Sequence, residues 1–144
     1  MIEIFIQGNV PSLKNSKVKT SRGIFPSKTV TKYLRSLGIQ AYSASKKTVT
    51  EYKTKENEFK IKTQELRDYL KDKTYPVEIY FHFVRDSKRT FDFNNVNQII
   101  LDLLTAHEII LDDNMDYVIP IPYKKDGKYY TLKKEQPGVW IKIK

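Results

Sequence analysis

Ile2, Ile4 and Ile6 alternate with Glu3, Phe5 and Gln7 at the start of the chain, the period-two pattern of a half-buried strand. The pattern then breaks. Asn9 to Lys28 is rich in Ser, Pro, Gly and Lys and reads as a loop, with a short hairpin at Arg22-Gly23. Val30, Tyr33, Leu34 and Leu37 follow at helical spacing, predicting a helix over Thr29–Leu37 with Gly38 as its C-cap. A second helix is predicted from Lys47 to Leu70. Its apolar positions are sparse, so it buries one narrow face, and Asn57 marks a candidate break.

Val77, Ile79, Phe81 and Phe83 share one face of the clearest strand, Pro76 to Val84. A charged loop, Arg85 to Arg89, leads on to the clearest helix, Val96 to Ile110. Its stripe is Val96, Ile99, Ile100, Leu103 and Leu104, and Asn94 or Asn95 is the N-cap type. Tyr117–Ile121, Lys128–Leu132 and Val139–Ile143 read as strands, with a turn at Lys125-Asp126-Gly127-Lys128. The order strand, helices, strand, helix, strands predicts an α/β (α+β) fold: one small domain with a mixed sheet packed against helices. The length of 144 residues suits one domain covering 1–144, and no repeat or linker interrupts it.

Charge changes the picture. Lys and Arg total 26 against 17 Asp and Glu, a net charge of +9, which suits a polyanionic partner such as nucleic acid. The loop from Asn9 to Lys28 carries Lys14, Lys17, Lys19, Arg22 and Lys28 and no acidic residue. With no cysteine, disulfides, thiolate zinc sites and cysteine nucleophiles are excluded. No apolar run approaches membrane-spanning length, and the first residues are too short and polar for a signal peptide, so a soluble intracellular protein is expected. No Gly-rich phosphate loop is present, which argues against a nucleotide cofactor.

Against this basic background, carboxylates gather at both ends of one helix: Asp92 before it, Asp112 and Asp113 after it. A helix of that length spans about 22 Å, so the two groups cannot meet along the helix itself. Either Asp113 opens a strand beside the one preceding Asp92, or it lies on a loop that folds inward. Oxygen-rich clusters suit Mg²⁺, and a divalent ion among Lys and Arg is the equipment of phosphodiester hydrolysis. The plainer readings are a macrodipole partner for Asp92 and a solvated turn for Asp112-Asp113-Asn114; spacing alone favours these.

Asp92-Phe93-Asn94-Asn95, the helix with Asp102, and Asp112-Asp113-Asn114 resemble the core of the RusA-type Holliday junction resolvases. The opening Gly8-Asn9-Val10-Pro11-Ser12-Leu13-Lys14-Asn15-Ser16 is similar to that family's strand and following loop, whereas Val30 to Lys73 matches weakly. The resemblance implies a small homodimeric endonuclease, often encoded by phages or prophages and acting in the bacterial cytoplasm. It would nick two strands of a four-way DNA junction using Mg²⁺ or Mn²⁺. The metal positions align with Asp92, Asn94 and Asp113, supported by Asp112 and Asp102. Two departures stand out. Asn94 replaces an Asp and brings no negative charge, and Gln98 replaces a Lys and brings no positive charge. Asn94, Gln98 and Asp102 form an i, i+4, i+8 row, and Lys88 or Arg89 is a candidate for the missing cation.

Lys14, Lys17, Lys19, Arg22, Lys28, Lys88 and Arg89 are the expected DNA-backbone contacts. Phe25 and Tyr33 read as junction wedges or as packed rings. His82 is expected to be structural, and His107 to complement a helix dipole. Trp140 reads as core or dimer packing, and Leu101, off its helix's main stripe, as a dimer contact. Three competing functions remain: a catalytically weakened or inactive branched-DNA binder, favoured by Asn94 and Gln98; a flap or single-strand nuclease; and an RNA-binding module, disfavoured by the acidic cluster.

Overall fold

The strand predicted at Pro76 forms as β4, Val77–Arg85, and both its edges are paired. The computed structural model describes residues 1–12, 17–38 and 49–144. On one side of β4 lies β7, Gly138–Ile143, antiparallel to it, and beyond that β1, Ile2–Gln7, antiparallel to β7. The register lines up three apolar rows: Ile2, Ile143, Ile79; Ile4, Ile141, Phe81; Ile6, Val139, Phe83. These rows form the sheet's contribution to the core. Gly138 is needed for space, since a Cβ there would run into the Phe5 ring and the Ile6 carbonyl.

The other edge of β4 is shared by two short strands. β5, Val118–Pro122, pairs with Val77–Phe81, and β6, Tyr130–Leu132, pairs with Phe83–Arg85, both parallel. Between them the chain leaves the edge and turns at Lys125–Lys128, where Asp126 and Gly127 have φ of 51° and 78°. Two successive positive φ values make the type I′ turn that Asp-Gly favours. His82, fully buried on β4 opposite the gap, fastens both ends of this excursion. Its Nδ1 lies 2.9 Å from the Tyr123 carbonyl and its Nε2 2.6 Å from Thr131 Oγ1. The carbonyl can only accept, so Nδ1 carries the proton and Nε2 accepts from the threonine. The structural role expected of His82 holds.

A short hairpin, β2 (Lys17–Thr20) with β3 (Gly23–Pro26), stands apart from the sheet. Helix α1 is Lys28–Ser36, capped by Ser27, whose Oγ accepts from the Val30 amide. Helix α2, Val49–Leu70, runs through Asn57 without a break; the predicted start at Lys47 lies outside the described residues. Helix α3 is Phe93–Ala106, shorter at its C-terminus than predicted. Ile109 and Ile110 continue the apolar spacing, but Glu108 takes a φ of 57° and turns the chain away. Both isoleucines are buried without being helical.

Three expectations are corrected. Leu101 is buried inside the chain's own core, so it does not present a separate surface. Trp140 lies outside that core, on the opposite face of the sheet, which corrects the core half of its reading; it packs on Phe5 at 4.9 Å with Lys125 Nζ 4.1 Å above its ring. His107 caps α3, yet burial and the nearby Arg67 charge push its imidazole toward neutrality, so it is no dipole cation. It meets Phe59 edge-on at 5.2 Å. Among the described residues no helix is long and apolar enough to cross a membrane.

Burial holds both imidazoles below their ordinary value of 6.5. As pH falls below that value, the unfolded chain takes up protons that the folded chain refuses, so stability declines in this window. Urea midpoints are expected to drop between about pH 7.5 and about pH 5.5, and less so in a His82→Gln, His107→Gln double variant. An identical decline in that variant contradicts the assignment.

Candidate active site

β4 delivers the chain to Asp92 through an exposed loop that holds Lys88 and Arg89. Asp92 itself is extended, with φ −105° and ψ 125°, and is the N-cap of α3: its Oδ1 accepts from the Asn94 amide at 2.9 Å. The expected cap at Asn94 or Asn95 is thereby corrected. All three residue types can cap, but the Asp92 carbonyl is the one that accepts the first helical bonds, from Asn95 and Val96.

The segment after β1 is tied along this same stretch. Asn9 Oδ1 accepts from the Asp86 amide at 3.2 Å, and Ser12 Oγ accepts from the Asp92 amide at 3.3 Å. Between them the Val10 carbonyl accepts from the guanidinium of Arg85, a buried cation at the end of β4. Arg85 also lies 4.7 Å over the Phe91 ring. Sequence reading missed Arg85, because a lone arginine at a strand end gives no sign of burial. The N-terminal loop thus meets the Asp92 segment.

The far carboxylates return by the inward-folding route. After α3 the loop doubles back, with the Ile109 amide bonding the Leu104 carbonyl at 2.9 Å. Asp112 then orders the turn, its Oδ1 accepting from the Asp113 amide at 2.7 Å and its Oδ2 from the Asn114 side chain at 3.1 Å. Asp113 does not open β5; it folds against α3. Its Oδ2 lies 2.7 Å from Gln98 Nε2, and the same nitrogen lies 2.7 Å from Asp102 Oδ1. Both acceptors are carboxylates, so the amide must present its NH₂ and spends one hydrogen on each.

The structure therefore joins Gln98, Asp102 and Asp113, with Asp112 adjacent. Asn94 is exposed on the first turn, one turn below Gln98. Gln98 is six residues beyond Asp92, about 9 Å along the axis, so Asp113 reaches α3 within two turns of the cap. The Gln98 donation holds the Asp113 carboxyl below its ordinary range against the opposing effect of partial burial, and the Lys17 charge assists. Lys17 belongs to the hairpin β2–β3. Lys19 and Arg22 on that hairpin and Lys28 at the start of α1 are exposed. Lys14 lies outside the described residues, as does the side chain of Phe25. Tyr33 is 4% exposed and its hydroxyl has no partner among the described residues; burial drives its pKa up, and it cannot serve as a wedge.

The donors fit a hard cation only sparingly. Among the described residues no three His, Cys, Asp or Glu side chains converge as a metal cluster. Asp92 and Asp113 each commit one oxygen to a protein donor, and each has a second. Two carboxylates with an amide carbonyl suit Mg²⁺, which keeps several of its own waters. Comparison with family models and with curated proteins gives no match.

Capping and chemistry at Asp92 separate by substitution. Asp92→Ala is expected to lower unfolding free energy by about 1 kcal/mol, while Asp92→Asn, a comparable cap, stays within about 0.5 kcal/mol of wild type. Equal losses for both would remove the capping role.

Proposed function

We propose that the chain is a Mg²⁺-dependent, structure-selective endodeoxyribonuclease that resolves four-way DNA junctions by paired nicks, working as a homodimer. The observation that carries this reading is the return of the chain after α3, which sets Asp113 on Gln98 within two turns of the Asp92 cap. The resemblance from Asp92 to Asp113 supplies the reaction class and the junction.

Asp92 and Asp113 would hold the ion through their second oxygens, with the Asn94 carbonyl as a neutral third donor. When bound, the ion supplies positive charge at the phosphate and makes neighbouring water more acidic. Gln98 fixes the orientation of Asp113 and keeps Asp102 from repelling it. Lys17, Lys19, Arg22, Lys28, Lys88 and Arg89 neutralise the DNA backbone, a term that gives affinity and salt dependence rather than sequence reading. A second reading, a branched-DNA binder without cleavage, draws on Gln98: its amide consumes one Asp113 oxygen and adds no cation.

Nicking of a labelled four-way junction under Mg²⁺ and under Mn²⁺ distinguishes the two. Paired, symmetrical nicks that vanish in Asp113→Asn are expected. Gln98→Lys is expected to raise the nicking rate by about tenfold or more, since it adds a charge next to the phosphate. Tight binding without nicks under either ion establishes the binding reading instead. Replacing Lys17, Lys19 and Arg22 together by Ala is expected to lower the slope of log affinity against log salt by about 2 to 3. An unchanged slope removes the hairpin from the interface.

A further inference from the structure

Asp92 is flanked by two aromatic residues, and both line one cleft. Phe91 and Phe93 form one wall; Tyr129 and Tyr130, on the return of the β5–β6 excursion, form the other. Phe83 and Ile121 contribute apolar surface between them, and the cleft measures about 550 Å³. That lies within the range of about 300–1,000 Å³ typical of small-molecule sites. The walls meet where Phe91 packs edge-on against Tyr130 at 5.0 Å, and Phe93 packs on Phe83 between them at 6.0 Å. Tyr129 and Tyr130 remain 57% and 50% exposed, so both rings are open to a partner.

The rim carries cations: Lys124 Nζ sits 5.1 Å over the Tyr129 ring, and exposed Lys88 and Arg89 precede Phe91 in the chain, while buried Arg85 backs the Phe91 ring at 4.7 Å. Flat apolar walls with positive charge at the edge match one chemistry, a nucleobase whose phosphates lie outside. A second copy of this chain, itself carrying +9, would bring like charge to that rim. We infer that this cleft takes an unpaired nucleobase of DNA, stacked against Tyr129 and Tyr130, and thereby sets the adjoining phosphodiester beside Asp92. The inference rests on the nuclease reading for its substrate and gives that reading a means of selecting branched over continuous duplex DNA. A fully paired strand has no base to offer without the cost of unstacking.

The test is metal-free binding of oligonucleotides carrying 2-aminopurine at an unpaired position, beside a blunt duplex. Tyr129→Ala and Tyr130→Ser are the variants; both rings are exposed, and thermal melting checks that each variant folds. The expected result is a change in 2-aminopurine emission on binding. In each variant affinity for the unpaired substrate falls roughly 5- to 100-fold, while duplex affinity moves by less than about twofold. Unchanged affinity and emission in both variants overturns the cleft and leaves nicking to be judged on its own. A change in oligomeric state with the variants also overturns it, in favour of a second copy as occupant. Binding of no DNA at all overturns both readings, whereas base capture without any nicking under Mg²⁺ or Mn²⁺ leaves the cleft standing and removes only the nuclease.

Discussion

The parallel pairing of β4 with β5 fixes the geometry on which the site depends. Parallel neighbours cannot be joined by a tight turn, so the connection must travel the length of the strands. Here α3 makes that journey and buries its stripe on the sheet. As a result Asp92 stands at one end of the helix and the residues after Ala106 emerge at the other. Carboxylates placed in this way stay apart unless the loop retraces its path. Glu108 in a left-handed conformation and the buried Ile109 and Ile110 turn the loop back, and Asp113 comes to rest on Gln98.

Gln98 then decides what the acidic group can be. The amide hydrogen that Gln98 gives to Asp113 lowers that carboxyl's proton affinity. A glutamine is neutral, so it links Asp102 and Asp113 without satisfying their charge, and the balance falls to Lys17 and to whatever cation binds. On the other side of the cap, Arg85 gathers the Val10 carbonyl and the Phe91 ring, which fixes the N-terminal loop and the aromatic cleft relative to Asp92. His82 does the same for the excursion that carries Tyr129 and Tyr130.

Much of this fold was legible because one face of the sheet is covered. Ile4, Ile6, Ile79, Phe81, Val139 and Ile141 alternate for that reason, and the strands were found. The Lys125–Lys128 turn was legible because Asp-Gly tolerates two positive φ values. Partners were less legible than elements. Nothing local indicates that β5 and β6 share an edge of β4, since register is a long-range property. The end of α3 was misread because apolar spacing continues through Ile109 and Ile110 after the backbone has turned. In the site, Asp92, Gln98 and Asp113 were singled out from their pattern, but the contact between Gln98 and Asp113 depends on a loop path that no periodicity encodes. Arg85 and the Tyr129-Tyr130 wall were missed altogether: a buried cation and an exposed ring look in sequence like their ordinary counterparts.

The proposed function requires that Asp92, Asn94 and Asp113 serve a single divalent cation. Paramagnetic broadening of amide resonances during a Mn²⁺ titration tests it without DNA or turnover. The account requires broadening centred on Asp92 to Asn94 and on Asp112 to Asn114 together, saturating as one event and abolished in Asp113→Asn. Broadening at only one of the two segments, or at neither, would contradict it.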